Sequence, residues 1–306
     1  MPPPSVPDLT AVVVSHNSEA VLAECLRALA REAVPTIVVD SGSSDGSTAL
    51  VERRFPAVRL LRAENVGFGS ACNLGLAQVT SETVLVLNAD AWPLPGAVAR
   101  LAAVTVDPSV AAVGPRLVSL DARPQRSVIA HPVRVADLVA WTLAPRVTRG
   151  AYLLTRRFCR SPTEAVRGRH FLMGAALLLR REAFEAVGGF DPDFFMYDED
   201  VDLCHRLVRG GWTIRFEPGS TFVHLGGASS SAAADAMRLE QLRSHVRFIA
   251  KHRGASSAAR ARVCLGLALS LRALLERGSR RAADRRAGRW LLGTDTAGLL
   301  RTERAS

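Results

Sequence analysis

The chain has 306 residues, 48% of them hydrophobic, and a formal net charge of +10. That much apolar material excludes a disordered chain and suits one large α/β domain with an appendage. The charge is uneven: residues 251–306 hold thirteen Lys+Arg against four Asp+Glu, which leaves 26 basic and 25 acidic residues in 1–250.

Thr10–Ser15 (TAVVVS) is a β-branched apolar run, the pattern of a strand buried on both faces. Ser18 is the expected cap of a helix over Glu19–Glu32, where Val21, Leu22, Cys25, Leu26 and Leu29 recur at helical spacing. A second buried strand, Thr36–Asp40, leads into the turn Ser41–Ser47 and a helix to about Arg54. Val58–Arg62 predicts a third strand, Ala71–Val79 a helix and Thr83–Leu87 a fourth strand. This alternation implies a parallel sheet with right-handed crossovers. Further on, Pro95–Val106 reads as helix, Ala111–Val118 and Phe171–Leu179 as strands, and Arg181–Val187 and Glu199–Arg209 as helices. Trp212–Phe216 and Thr221–His224 read as two short strands. Residues 120–168 have weak periodicity and read as an insertion near an acceptor. From Ala236 the chain is helical, with breaks near Gly254 and Gly278. The expected organisation is a catalytic domain over 1–250 and a basic helical extension over 251–306.

Cys25, Cys72, Cys159, Cys204 and Cys264 are scattered, odd in number and without a CxxC pair. That fits a reducing, cytoplasmic setting without structural disulfides or a zinc site. The start MPPPSVPDLT has neither a basic segment nor an apolar run, so no signal peptide is expected there. No run of about 18 apolar residues suggests a bilayer span. The basic extension has few interleaved aromatics, which argues against nucleic-acid binding. Val263, Cys264, Leu265, Leu267, Leu269, Leu271, Leu274 and Leu275 lie among its arginines. They fit either a helix on the anionic inner face of a membrane or an ordinary packing surface.

In an open parallel sheet, ligands bind beyond the carboxyl ends of the strands. Polar residues gather at those ends: Ser15-His16-Asn17 after the first strand, Asp40 to Gly46 after the second, Asn88-Ala89-Asp90 after the fourth. One such loop is what any turn looks like; three in register point to a site. Asn65-Val66-Gly67-Phe68-Gly69-Ser70 precedes a helix and could offer backbone N–H groups to a phosphate. Between Gly188 and Asp202, acids alternate with Phe194, Phe195, Met196 and Tyr197. A carboxylate on such a partly buried lip can serve as a base, and Asp198 is also an expected cap for the helix that follows. His224 closes a strand before Leu225-Gly226-Gly227-Ala228-Ser229, a loop that admits close approach of a diphosphate. The residue itself is either a metal ligand or a structural histidine.

Together, VVVSHNS (12–18), VDSGSSDGS (39–47), NVGFGSACNLGL (65–76), LNADAWP (87–93), GAALLLRREAFEAVGGFDPDFFMYDEDVDLCHRL (174–207) and HLGGAS (224–229) resemble glycosyltransferase family 2, over about residues 9–250. The likeness is greatest to the branch containing bacterial rhamnosyltransferases. It implies a GT-A type α/β fold, with a mainly parallel central sheet flanked by helices, and inverting transfer of a sugar from a nucleoside diphosphate. The donor would be a sugar nucleotide such as dTDP-L-rhamnose. The acceptor would be a glycan or polyprenyl-linked hydroxyl in cell-envelope or polysaccharide synthesis.

By position, the resemblance assigns Ser15, His16, Asn17, Asp40, Ser43, Asp45, Asn65, Gly67 and Asn88 to the donor nucleotide. It assigns Asp90 and His224 to a divalent metal, Mn²⁺ or Mg²⁺. Asp200 becomes the base, with Glu199 beside it. Two departures stand out: His16 occupies a position where the family usually has an aromatic, and Asn88-Ala89-Asp90 replaces Asp-x-Asp. A nucleotidylyltransferase would want a Gly-rich basic loop after the first strand, which SHNS does not supply. A non-catalytic binding domain would have lost its acids, and here Asp40, Asp90, Glu199 and Asp200 are all present.

Overall fold

In a computed structural model, residues 8–130, 170–226, 231–275 and 279–293 are described. The first half forms as its periodicity predicts: β1 (Leu9–Ser15), α1 (Glu19–Arg31), β2 (Thr36–Ser41), α2 (Ser47–Arg54), β3 (Arg59–Ala63), α3 (Phe68–Leu76) and β4 (Thr83–Asn88). Alternate residues of β1 face opposite layers, as strand geometry requires. Ala11 and Val13 join the core shared with Leu22, Cys25, Leu26 and Leu29 of α1. Val12 instead meets α3, where a Cβ on Gly75 would lie 2.4 Å from it and 3.0 Å from Val39. Glycine at 75 therefore lets α3 lie against the sheet.

The second half departs from a purely parallel plan. It comprises β5 (Ala91–Pro93), α4 (Ala97–Ala103), a 3-10 turn, β6 (Val110–Val118), β7 (Val128–Ala130), β8 (His170–Leu172), β9 (Ala176–Arg180), α5 (Arg181–Ala186), α6 (Glu199–Arg209) and β10 (Thr213–His224). The main sheet has the order β3-β2-β1-β4-β9-β6-β10-β5, and β7 pairs with β8 in a small second sheet. Strands β1 to β4, β6 and β10 run one way, while β9 and β5 run the other.

Four local expectations need correction. The strand expected over Phe171–Leu179 is two, β8 and β9, broken at Met173–Ala175. The two strands expected after Trp212 are one, β10, whose pairing with β6 shifts register between Glu217 and Thr221. Helix α3 begins at Phe68 rather than Ala71. Ser18 does not cap α1 with its side chain; its hydroxyl donates to the His16 carbonyl at 3.0 Å, and Asp45 accepts the first helical N–H, from Glu19, at 3.0 Å.

Residues 231–275 and 279–293 form a second compact unit of three helices, α7 (Ser231–Arg253), α8 (Ala255–Leu275) and α9 (Ser279–Leu292). The expected break at Gly254 is present, at φ +83°. Helix α7 runs through position 250, and its Leu239, Leu242 and Ile249 share a core with Leu265, Leu269, Ala287 and Leu291 of the basic helices. Asp284, almost fully buried, ties the three helices together. It accepts from Arg272 at 2.6 and 2.7 Å and pairs with Arg238 at 2.6 Å. Both charges of such a pair must be present for its burial to be tolerated.

The close seat of α3 makes a stability prediction. Gly75→Val forces a branched side chain against Val12 and Val39 and should destabilise by ~1–3 kcal/mol, roughly 2–4 °C in Tm per kcal/mol. Leu74→Gln, at a neighbouring exposed position, should move Tm far less. Equal shifts for the two in thermal unfolding would contradict this packing.

Candidate functional site

The register of the first strands levels their ends: Ser15 stands opposite Asp40, and Val14 opposite Asn88. Beyond β1 the chain turns through Asn17, at φ +48°, and locks onto the loop after β2. Asn17 N–H donates to Ser43 Oγ at 2.9 Å, and Asn17 Oδ1 accepts from Ser44 N–H at 2.8 Å. His16 Nδ1–H donates to the Ser41 carbonyl at 2.7 Å, which leaves Nε2 toward Asn17 Nδ2, 3.3 Å away. Asp40 is buried; its Oδ2 accepts from Ser43 N–H at 3.0 Å, while Oδ1 has no partner. Ser15 Oγ, fully buried beside it, has none either. Two adjacent buried polar atoms without partners are a place where a ligand's hydrogen bonds would be used.

Two of the predicted donor residues hold the protein itself. Besides capping α1, Asp45 accepts from Ser47 N–H at 2.9 Å and Ser47 Oγ at 2.5 Å. Burial raises its pKa, but these hydrogen bonds outweigh that and leave it below the ordinary value. Gly67, at φ +87°, lies so near the Phe195 carbonyl that a Cβ would come within 2.1 Å of it. Phe68 N–H donates to that carbonyl at 3.0 Å. This amide at the start of α3 therefore holds the acidic loop. Asn65 packs against Gly42, at φ +69°.

Past Asn88 the chain reverses into β5, which pairs with the end of β10 and sets Ala91 opposite His224. Asp90 and His224, 134 positions apart, are thereby neighbours, with Oδ1 and Nε2 3.6 Å apart. That is too far for a hydrogen bond. Gly226 N–H occupies the other oxygen, Oδ2, at 3.1 Å. Gln125 Nε2 donates to the His224 carbonyl at 2.7 Å, and His224 Nδ1–H donates to Gln125 Oε1 at 2.9 Å. One carboxylate oxygen and one imidazole nitrogen thus face a common point. This pair fits a divalent cation that takes its remaining ligands from phosphate oxygens. Among the described residues, no group of three or more His, Cys, Asp or Glu is arranged for a metal.

The acidic block opens α6 through Tyr197 and Asp198, both at positive φ (67° and 63°). The expected side-chain cap by Asp198 is absent; its carbonyl accepts from Asp202 N–H at 2.8 Å. Asp200 is buried and held at both oxygens, by Gly174 N–H at 2.6 Å and Val201 N–H at 2.8 Å. Burial, opposed by the Gly174 bond and reinforced by the Asp198 charge, pushes Asp200 up to about 6. Glu199 is buried with Oε2 unpartnered. Burial first, then the Asp200 charge, drives it well above the carboxylate range. Asp202, fully buried, pairs with Arg206 at 2.7 Å and is structural.

A two-residue link joins these parts. Asn88 N–H donates to the Ala175 carbonyl at 3.1 Å, and the adjacent Gly174 N–H holds Asp200. A Cβ on Gly174 would stand 3.1 Å from the Asp200 carboxylate, so glycine permits the approach. Sequence reasoning missed Gly174 and Gln125, and it read Gly226 as part of a diphosphate loop without its bond to Asp90. A glycine inside an apolar strand pattern is a signal for close backbone approach, and Gly174 carried it. Gln125 carried none. Gly227, Ala228 and Ser229 of the expected glycine-rich loop lie outside the described residues.

The profile of a family described as "Glycosyltransferase like family 2" matches residues 7–264. An N-acetylglucosaminyl-diphospho-decaprenol L-rhamnosyltransferase of Mycobacterium tuberculosis is 34% identical over 205 residues, 62% of this chain and 66% of the relative. A pre-mycofactocin glycosyltransferase of the same organism is 31% identical over 227 residues, 72% of this chain and 44% of the relative. The chain thus spans less than two thirds of either relative. A mannosyltransferase from Pyrobaculum calidifontis, solved with GDP-Man and Mn²⁺, superposes with TM-score 0.54 at 20% identity, covering 96% of this chain and 82% of its own. GalNAc-T7 with UDP, GalNAc and Mn²⁺ gives 0.57 at 16% identity, covering 80% and 48%. With the fold shared and the family profile covering most of its length, the chain belongs to glycosyltransferase family 2 and has a GT-A type fold.

Proposed function

We propose that the protein is an inverting transferase that moves a sugar from a nucleoside diphosphate to a hydroxyl, with Asp200 as the general base. The observation that carries this reading is the Gly174–Ala175 link, which ties the end of β4 to the buried carboxylate of Asp200. Asp40 Oδ1 and Ser15 Oγ would accept from or donate to the nucleotide, flanked by His16, Asn17, Ser43 and Asn88. Asp45, Asn65 and Gly67 shape the loops that surround it. Asp90 and His224 would hold a divalent cation, which when bound neutralises charge on the diphosphate leaving group. Asp200 takes the acceptor proton as the hydroxyl attacks the anomeric carbon from the face opposite the diphosphate. One displacement inverts the configuration and needs no enzyme nucleophile. Glu199 lies beside it, and burial and the Asp200 charge make its carboxyl harder to ionise than usual.

The name of the 34% identical rhamnosyltransferase supports L-rhamnose as the donor sugar and a polyprenyl-diphosphate-linked sugar as the acceptor. Such an acceptor lies in a membrane, and no described helix is long and apolar enough to cross one. The helical unit offers another route. Val263, Leu267, Leu271 and Leu274 form one stripe of α8 at i, i+4, i+8 and i+11, each 50–66% exposed. Gly288 of α9 packs on Gly266 and Ser270 beside that stripe. Arg281, Arg285, Arg286 and Arg289 line an open groove on α9. An apolar stripe bordered by arginines matches an anionic bilayer surface. We therefore extend the proposal to peripheral placement on the inner membrane face.

Two measurements check these readings. Asp200→Asn should lower kcat by at least about a hundredfold with donor binding kept, and the wild-type kcat/KM should fall as pH drops through about 6, where Asp200 gains its proton. Near wild-type turnover in that variant would remove Asp200 from the role. In vesicle co-sedimentation, the full chain should bind phosphatidylglycerol-containing but not purely phosphatidylcholine vesicles, more weakly at high salt. Leu267→Gln with Leu271→Gln should weaken binding by at least ~10-fold, given ~1.5–3 kcal/mol per buried leucine. No binding at low salt would contradict membrane placement.

A further inference from the structure

Gln125 makes two hydrogen bonds to one residue. Its Nε2 donates to the His224 carbonyl at 2.7 Å, and its Oε1 accepts from His224 Nδ1–H at 2.9 Å. The first bond decides the second. Only the amide nitrogen can donate to a carbonyl, so the amide oxygen must face the ring. An oxygen there requires a proton on Nδ1, which leaves the Nε2 lone pair directed at Asp90. Gln125 is itself anchored, its N–H donating to the Leu117 carbonyl of β6 at 2.9 Å. On the other side Gly226 N–H fills Asp90 Oδ2 at 3.1 Å and leaves Oδ1 toward the same point. Gly226, at φ +61°, passes so near that a Cβ would lie 3.4 Å from His224 Cε1 and 3.9 Å from Gln125 Nε2. The ring therefore has a partner for one nitrogen, a fixed backbone and a close neighbour along its edge.

We propose that Gln125 is the positioning residue of the metal pair, selecting the His224 tautomer whose Nε2 lone pair faces Asp90. This inference rests on the reading of Asp90 and His224 as cation ligands. A partner on the far nitrogen of a ligating histidine typically contributes ~10–100-fold in metal affinity. Methionine at 125 would keep the length and volume and remove both hydrogen bonds. Glutamate would keep the acceptor for Nδ1–H.

The test uses Mn²⁺ alone, titrated into the full chain and followed by the EPR signal of the free ion, together with ¹⁵N NMR of the histidine rings in metal-free protein. Wild type should show His224 protonated at Nδ1, assigned by its absence in His224→Ala. Gln125→Met should lose that single tautomer and bind Mn²⁺ roughly 10–100-fold more weakly, with Tm close to wild type. Gln125→Glu should restore the tautomer and most of the affinity. Wild-type Mn²⁺ affinity in Gln125→Met, where His224→Ala has lost binding, would overturn the role of Gln125 alone. Equal loss in the Met and Glu variants would place the effect on the bond to the His224 carbonyl, not on the ring nitrogen, and overturn the tautomer role likewise. Undiminished binding in His224→Ala would instead remove the metal reading, and this inference with it.

Discussion

Strand β9 runs against its neighbours, and the candidate site depends on that reversal. Because β9 is antiparallel to β4, it begins where β4 ends. The residues leading into it, Met173 to Ala175, therefore cross the carboxyl edge of the sheet. Their backbone does what a side chain could not do so rigidly: the Ala175 carbonyl takes Asn88 and the Gly174 N–H takes Asp200. A parallel strand at this place would deliver its start to the opposite edge, away from the carboxyl ends of β1 and β2. The same geometry explains Gly174, where any side chain would meet the carboxylate it serves to hold. The other reversed strand, β5, does the equivalent for Asp90 and His224.

Polar satisfaction separates the acids that build the fold from those left for a ligand. Asp45, Asp202 and Asp284 are committed to partners: two helix starts, Arg206, and a pair of arginines. Asp40 Oδ1, Ser15 Oγ and Glu199 Oε2 are buried with no partner among the described residues. A buried polar atom without a hydrogen bond costs about 1–3 kcal/mol, so three near one sheet edge are retained against stability. Binding sites tolerate this because the ligand completes the hydrogen bonds. Burial of Glu199 and Asp200 acts in the same direction: both are harder to ionise in the folded chain than in the unfolded one. Their contribution to stability is therefore greatest at low pH and is lost as pH rises through the folded values.

Much of the first half was legible because its signals are local. The runs TAVVVS and TIVVD, the stripe from Leu22 to Leu29 and the polar ends of three strands gave the sheet edge directly. Strand direction is different, since a buried strand has the same hydrophobic pattern whichever way it runs; β9 therefore read as one more apolar segment fused to β8. Long-range partners were equally hidden. Asp45 as a turn residue looks the same whether it binds a ligand or caps helices starting at Glu19 and Ser47. Gln125 lies in a stretch without periodicity, and its partner is 99 positions away. The family resemblance identified Asp90 and His224 together, and the β5–β10 pairing supplies the physical reason. The expected insertion over 120–168 lies mostly outside the described residues.

The proposed reaction is a single displacement at the anomeric carbon with the site's own carboxylate as base. The stereochemistry of transfer tests it most directly. With dTDP-L-rhamnose and a short-chain polyprenyl-diphosphate-linked N-acetylglucosamine, NMR of the purified product reads the new anomeric configuration. A single displacement gives a configuration opposite to that of the donor. Retention would exclude a single displacement from the opposite face and would contradict it.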